Sequence, residues 1–522
     1  MTGFRCFPRA FLRGICSAVR TFSPFAPLPL YIFLFCAMMD ADSPVRARDS
    51  GCGAAARVFF FHGCKSPGGK VFFPTGTKQK TKHKKRIMST LIEAVKRQSP
   101  ARIIAMGFAV VILLGSALLM LPCSVKEGVD LRYIDALYTS TSAVCVTGLI
   151  AVDVGDTFTP LGQTILAMLI QVGGLGVTSV GAGIIVAMGR RVNLKGRTLI
   201  REALNVDSGK GLIVFIKSIF WTTLIFELAG AALSFPVFVQ DYPPLRALGI
   251  SLFHSIAAFN NSGFDILGNF QSLTHYADNV LLNLVTCALI FFGGIGFLVI
   301  REVWAKKFRW RKLSMHARVV ISFSLVLIVI GTVLLKLTEN ITWLGALFQS
   351  VSARTAGFAT YPLGEFSTPG LLVMIVLMFI GASPGSTGGG VKTSTVFVLF
   401  QGIKSAATNK SEKAFHYSIP REAFRKAAVI TLLAMSLVFT GTYLMTIFEP
   451  GISLTDALFE VVSAFGTVGL STGITPGLSD ASKLLSIFIM YVGRLGPLTI
   501  ATLWYFGRGE RTHYPVGNIA IG

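Results

Sequence analysis

The sequence predicts an all-α membrane protein made of four consecutive helix–pore loop–helix repeats around a pseudo-fourfold central pore. Three observations carry this. The first is composition: 52% of the 522 residues are hydrophobic and only 14% are charged, a balance that suits a bilayer. The second is a series of long apolar runs, among them Ile103 to Leu121, Leu212 to Val239, Leu281 to Ile300, Val319 to Leu335, Leu371 to Ile380 and Ala427 to Ile447. Several approach the roughly 20 residues a helix needs to cross about 30 Å of hydrocarbon. The third is a short glycine-ended segment that occurs four times.

The four segments are Val144-Cys145-Val146-Thr147-Gly148, Phe259-Asn260-Asn261-Ser262-Gly263, Ala353-Arg354-Thr355-Ala356-Gly357 and Phe465-Gly466-Thr467-Val468-Gly469. A matching lead-in precedes each: Asp135-Ala136-Leu137-Tyr138, Ser251-Leu252-Phe253-His254, Ala346-Leu347-Phe348-Gln349 and Ala457-Leu458-Phe459-Glu460. The third copy is one residue shorter, and a bulky residue follows every glycine: Leu149, Phe264, Phe358 and Leu470. Side chains vary while the glycine stays. The repeated feature is therefore a backbone shape, a short helix running into an extended turn, and the working groups are carbonyls. Four carbonyl-lined segments around one axis make a potassium filter. One such unit cannot enclose a pore; four in one chain can. Each short helix would aim its partly negative C-terminal end at the cavity and favour a cation there.

The net charge of +23 would suggest nucleic acid on a soluble chain. Here the positives sit between spans on alternate sides, so no nucleic acid is expected. One set holds Arg190, Arg191, Lys195, Arg197 and Arg201. A second holds Arg301, Lys306, Lys307, Arg309, Arg311, Lys312 and Arg318; a third holds Lys404, Lys410, Lys413, Arg421, Arg425 and Lys426. The intervening connections carry Asp153, Asp156, Asp241, Asp265, Asp278, Glu339, Glu365 and Asp480. The positive-inside rule puts the basic sides, the start of the core and the C-terminus in the cytoplasm. The acids either concentrate cations at an outer mouth or are simply solvated loops.

Residues 1–87 read differently. They hold five of the eight cysteines, and Pro27 to Met39 is too short to span securely. After the basic run ending at Arg86, Met88 opens an amphipathic stretch, so Met88 is read as the initiator; a targeting segment is the alternative. The remaining Cys123, Cys145 and Cys287 show no metal or disulfide spacing.

From there the units are 88–205, 206–312, 313–420 and 421–522. Inner helices are expected over Leu161–Met188, Ala277–Trp304 and Leu484–Phe506, with their glycines serving helix packing. Glu227 is a rare charge within a span, and the sequence assigns it no role. The third inner span breaks into a loop, Gly381 to Thr395, that includes Pro384, Gly385, Ser386, Thr387, Gly388, Gly389, Gly390, Lys392 and Thr393. No helix continues through that composition, and irregular backbone at this depth must be shielded by protein or face water. The loop misses the phosphate-loop pattern because Val391 intervenes before Lys392-Thr393, and no βαβ unit surrounds it. A mobile plug below the filter fits better. Lys392 either places charge near the cavity or snorkels to the surface. Arg494, in the last inner helix, is costly at membrane depth by roughly 2.5–3.5 kcal/mol. It is expected to face the cavity and brace the loop, or to sit in a structural ion pair.

The glycine-ended segments, the Gly-Ser-Thr-Gly-Gly-Gly-Val-Lys-Thr loop, the Gly-Arg-Leu-Gly-Pro-Leu-Thr run and the Asn-Ile-Ala-Ile-Gly tail together resemble the KtrB family. These are the membrane subunits of bacterial Ktr potassium uptake systems, in the Trk/Ktr/HKT superfamily. The resemblance covers Met88 to Gly522. It implies a homodimer in the bacterial inner membrane, resting on a KtrA-type cytoplasmic ring that docks on the basic connections and binds ATP or ADP. No cofactor is expected in this chain. It implies sodium-stimulated potassium uptake, filter glycines at Gly148, Gly263, Gly357 and Gly469, and an intramembrane gate at 381–395. Glycine at all four filters goes with potassium; a sodium-permeable variant would carry serine at the first. A secondary transporter with a midplane site remains the nearer alternative, although four same-sense repeats differ from its usual inverted ones. A membrane enzyme would need convergent acid, base or metal groups that the spans do not offer.

Overall fold

A computed structural model describes residues 98–187, 198 and 211–503. The unit described is Pro100–Gly522; of the other unit, Met1–Ser99, only the last two residues are described. The expectations for residues 1–87, for the basic set at 190–201 and for the C-terminal tail lie outside the described residues.

The chain folds as four units of outer helix, re-entrant helix and inner helix. The first is α1 (Pro100–Leu119), α2 (Tyr133–Cys145), a short turn α3 (Val154–Thr157), then α4 (Pro160–Leu175) and α5 (Val177–Ala187). The second is α6 (Leu212–Phe238), α7 (Pro244–Phe259), α8 (Val280–Ile295) and α9 (Phe297–Ala305). The third is α10 (Met315–Thr338), α11 (Trp343–Ser352), α12 (Thr368–Phe379) and α13 (Thr393–Thr408). A two-stranded hairpin, Lys413–Ala414 with Tyr417–Ser418, leads to the fourth: α14 (Arg421–Phe448), α15 (Leu454–Gly466), α16 (Asp480–Leu495) and α17 (Pro497–Thr502).

Among the described residues the four outer helices, 20 to 28 residues long, are the ones long and apolar enough to cross a membrane singly. At 1.5 Å per residue they measure about 30–42 Å. Their exposed faces carry Leu113, Trp221, Ile225, Val329, Leu432 and Phe439, which suits contact with acyl chains. Each inner helix starts on a side-chain cap: Thr159, Asn279, Ser367 and Ser479 accept from the N–H of Gly162, Leu282, Gly370 and Ser482.

The inner helices depart from the sequence expectation. Units one, two and four do not run straight through. They break at Gly176, Gly296 and Gly496, whose φ of 83°, 92° and 90° with ψ of 130–140° is backbone that glycine alone adopts readily. The halves of the first two meet at 97°. These three glycines therefore turn the chain rather than merely letting helices pack. The third unit is broken by the long loop instead, from Gly381 to Lys392, between α12 and α13.

The ring of units closes on a buried ion pair. Lys483 on α16 donates to Asp135 on α2 at 2.8 Å, with side chains only 3% and 8% exposed. Arg132 holds the other Asp135 oxygen at 2.9 Å and reaches Asp480 at 3.1 Å. Asp135→Asn leaves the Lys483 ammonium buried without a counter-charge. The expected cost is about 3–5 kcal/mol, read as a lower thermal midpoint of the detergent-solubilised protein; an unchanged midpoint would refute it.

The acids of the connections between the spans also have structural work. Asp153 and Asp156 accept from the backbone N–H of Phe270 and Asn269 at 2.7 and 2.9 Å, Asp241 accepts from the Tyr276 hydroxyl at 2.8 Å, and Glu339 accepts from Ser367 at 2.6 Å. They clamp these connections to one another.

Candidate functional site

Each re-entrant helix leads to a left-handed residue two places before the segment's glycine. Val146, Asn261, Thr355 and Thr467 have φ of 58°, 57°, 77° and 50°; Gly148, Gly263, Gly357 and Gly469 have φ of 93°, 68°, 85° and 95°. In an ordinary strand successive carbonyls alternate sides. A positive φ at every second residue reverses that alternation and lines the carbonyls along one side.

The four segments meet in a closed ring. A Cβ added to Gly148 would strike the Ser262 carbonyl, one on Gly263 the Ala356 carbonyl, one on Gly357 the Val468 carbonyl, and one on Gly469 the Thr147 carbonyl. Glycine is thus demanded twice at each corner, by its φ and by the neighbouring backbone. The carbonyl-bearing residues Thr147, Ser262, Ala356 and Val468 are themselves completely buried.

Hydroxyls brace the turns. Ser142 and Ser463 accept from the N–H of Gly148 and Gly469 at 3.0 and 3.1 Å, and Ser352 donates to the Phe358 carbonyl at 2.5 Å. Ser140, Ser255 and Ser350 tie their re-entrant helices to outer-helix carbonyls of Ile112, Glu227 and Ile328 at 2.6–2.9 Å. Gly115, Gly230 and Gly331 of those outer helices leave the room for these hydroxyls. Behind the segments, Gly173, Gly293 and Gly493 of the inner helices lie directly on the carbonyls of Val144, Phe259 and Phe465.

Not every residue of the segments faces the ring. Asn260 turns to the wall, donating to Gln171 at 2.9 Å and Glu227 at 3.0 Å. Glu227 thereby acquires a role that sequence could not supply: it anchors the second segment from the outer helix. Arg354 likewise points outward, donating to the Ser324 carbonyl and hydroxyl at 3.2 Å. Cys145 is buried as a free thiol, and Gly466 lies against the Met378 carbonyl.

The loop expected over Gly381–Thr395 runs from Gly381 to Lys392, Thr393–Thr395 being the first turn of α13, and lies on the side of the ring facing the re-entrant helix C-termini. Its neck is pinned by the Gly381 N–H to the Val391 carbonyl at 2.9 Å and by Ser383 to Thr393 at 2.9 Å. It joins the second inner helix through Ser383 N–H to the Gly294 carbonyl and Phe297 N–H to the Gly385 carbonyl, both 3.0 Å. The Ser386 hydroxyl closes a turn on the Ser383 carbonyl at 2.6 Å. Thr387 donates to Asn261 Oδ1 at 3.1 Å, and Gly389 N–H donates to Thr467 at 2.9 Å. A Cβ on Gly388 would strike the Thr355 hydroxyl. Gly390, with φ of 68°, lies against Gly466. The loop thus touches three of the four segments from below.

Two cations fix it. Lys392 folds back onto the Gly388 carbonyl at 2.7 Å instead of extending to the surface. Arg494 donates to the loop carbonyl of Thr387 and to the Gly173 and Gly174 carbonyls of the first inner helix, the latter two at 2.5 and 3.3 Å. Among the described residues it has no carboxylate partner, so it is a clasp between fourth, third and first units and not half of an ion pair. In the aligned bends Gly173-Gly174-Leu175-Gly176, Gly293-Gly294-Ile295-Gly296 and Gly493-Arg494-Leu495-Gly496, it occupies the place where the others have glycine.

The family model for TrkH, a cation transport protein, matches residues 91–344 and 319–506. The chain is 37% identical over 441 residues to the Ktr system potassium uptake protein B of Bacillus subtilis, covering 82% of this chain and 97% of that relative. It is 34% identical over 445 residues to the potassium/sodium uptake protein NtpJ of Enterococcus hirae, covering 82% and 98%. The solved structure of the potassium transporter TrkH from Vibrio parahaemolyticus shares the fold, with a TM-score of 0.64 at 19% identity over 78% of this chain and 86% of that one. Matched along most of its length by that family model and by relatives above 30% identity, the chain belongs to the TrkH family of cation transport proteins and is a multi-pass membrane transporter, not an enzyme.

Proposed function

We propose that the chain is the pore subunit of a Ktr-type potassium uptake system. The observation that carries the proposal is the closed ring in which Gly148, Gly263, Gly357 and Gly469 each lie on a carbonyl of the neighbouring segment, with positive φ at every second residue. Carbonyl dipoles replace a cation's hydration shell without binding it as tightly as carboxylates would, which suits passage. The relatives named for potassium, and for potassium with sodium, support the choice of cargo.

The loop at 381–395 is the gate. It lies across the path just inside the ring, so ions pass only when it moves. Gly385, Gly388, Gly389 and Gly390 permit that movement, and Arg494 and Lys392 hold the loop in its present position. A KtrA-type nucleotide-binding ring, docked on basic cytoplasmic connections such as Lys404 to Lys426, would supply the energy to move it, with ATP or ADP bound by the partner. A homodimer in the bacterial inner membrane, with the core N-terminus and the C-terminus cytoplasmic and uptake stimulated by sodium, completes the reading.

The test is rubidium-tracer uptake in cells lacking their own potassium systems, with residues 88–522 expressed with and without a KtrA-type partner. Saturable uptake that excess potassium blocks and the partner raises is expected. No uptake in any combination, from protein shown to be in the membrane, would sink the proposal.

A further inference from the structure

We infer that His254, Gln349 and Glu460, the last residues of the second, third and fourth lead-ins, are positioning residues that hold the carbonyl ring from behind and so set its ion selectivity. The inference rests on the filter reading above.

These residues stand at matching places on α7, α11 and α15, where His254 and Gln349 directly precede the Ser255 and Ser350 that bind the outer helices. The matching residue of α2 precedes Ser140: it is Thr139, whose hydroxyl donates to the Asp135 carbonyl of its own helix at 2.8 Å. The exposures of His254, Gln349 and Glu460 are 3%, 0% and 0%, yet each is large and polar. Burying such a group costs about 1–3 kcal/mol unless it finds a partner, so a polar tip recurring in three repeats calls for a local purpose. An imidazole, an amide and a carboxyl share no single ligand chemistry. They share a place on the re-entrant helix, behind the filter segments.

Their contacts follow that location. Gln349, with its amide oxygen toward the loop, accepts from the N–H of Thr360 and Tyr361 at 3.1 and 3.3 Å, just beyond Gly357. Glu460 accepts from the Thr475 hydroxyl, which is 2.9 Å from that of Ser471, just beyond Gly469. His254 Nε2 lies 2.9 Å from the Thr286 hydroxyl on α8, and its ring packs at 5.1 Å on Phe358, the residue after Gly357. The lower half of each segment is fastened by its own helix end; Gln349 and Glu460 fasten the chain that leaves it, and His254 the inner helix behind it. In a carbonyl filter, the oxygens an ion meets depend on how firmly the segments are held.

The experiment is rubidium uptake with the regulatory partner present, titrated with competing sodium. In Glu460→Leu the sodium concentration that halves uptake should fall about tenfold, since small displacements at a reacting or binding site are this expensive. Glu460→Gln keeps an oxygen facing Thr475 and should stay within about twofold of wild type by the same reasoning. Gln349→Leu and Gln349→Glu form a second, independent pair with the same expectation. Should a Leu variant fail to reach the membrane, Glu460→Asp and Gln349→Asn, which withdraw the acceptor by one methylene, take its place. Wild-type sodium competition in the acceptor-removing variants, or equal losses in conservative and non-conservative variants, would overturn the inference while leaving the filter reading intact. A wild-type chain without uptake would overturn the filter reading itself, and the inference with it.

Discussion

Gly263→Ala is expected to lower saturating rubidium uptake by about 100-fold while leaving the protein in the membrane, a loss equivalent to about 2.7 kcal/mol. Two costs combine at this corner. The residue has φ of 68°, where a side chain costs roughly 1–2 kcal/mol. The added Cβ would also sit 2.5 Å from the Ala356 carbonyl oxygen and 2.7 Å from the Gly357 Cα, neither of which is a flexible side-chain end. Relief requires the second and third segments to part, and the oxygen they displace is one that a passing ion needs. Alanine at Gly128 is the contrasting control: φ there is 85°, but nothing lies within 4 Å of the added carbon. It should cost stability alone and leave selectivity untouched. Uptake in Gly263→Ala within threefold of wild type, at equal membrane abundance, would refute the ring's role.

Arg494→Ala is expected to raise partner-free uptake by at least about tenfold. The guanidinium donates to Thr387 of the loop and to Gly173 and Gly174 of the first inner helix. Hydrogen bonds from a charged donor contribute about 1.5–3 kcal/mol each. Losing a net 3 kcal/mol from the closed arrangement would shift its balance against the open one by about 100-fold. The loop retains its bonds to Gly293, Gly294 and Thr467, so part of the closure survives. Arg494→Lys, able to reach one carbonyl, should fall between. Partner-free uptake unchanged in Arg494→Ala would mean that the loop is held by its other contacts or does not gate.

Much of this architecture is legible in the sequence, for a physical reason. A membrane forbids unpaired backbone, so apolar runs of span length report helices directly. A repeated glycine with varying neighbours reports a repeated backbone shape. Both signals survive without any knowledge of contacts. The outer helices and the four glycine-ended turns follow from them.

What did not follow depends on conformation or on partners distant in sequence. Gly176, Gly296 and Gly496 look like ordinary packing glycines within apolar runs, because hydropathy carries no information about φ. The recurring Gly-x-[Leu/Ile]-Gly spacing at 173–176, 293–296 and 493–496 was the available signal. Glu227 could not be interpreted from its own helix, since its partner Asn260 lies 33 residues away. For Arg494 the sequence left two readings, a brace on the loop and a structural ion pair; its carbonyl partners at Gly173 and Gly174 lie at a helix bend, and bends are what the sequence concealed. The polar residue closing the second, third and fourth lead-ins was visible, but its three different side chains disguised the shared position.

The most direct test of the central claim, that four glycines and their neighbours' carbonyls choose the ion, is sodium competition against rubidium uptake in wild type and Gly148→Ser. Gly148 has φ of 93°, and its added Cβ would strike the Ser262 carbonyl. The account predicts that sodium too dilute to slow wild-type uptake inhibits the serine variant, with tracer sodium entering through it. Identical sodium sensitivity in the two proteins, at equal abundance and with uptake intact, would contradict it.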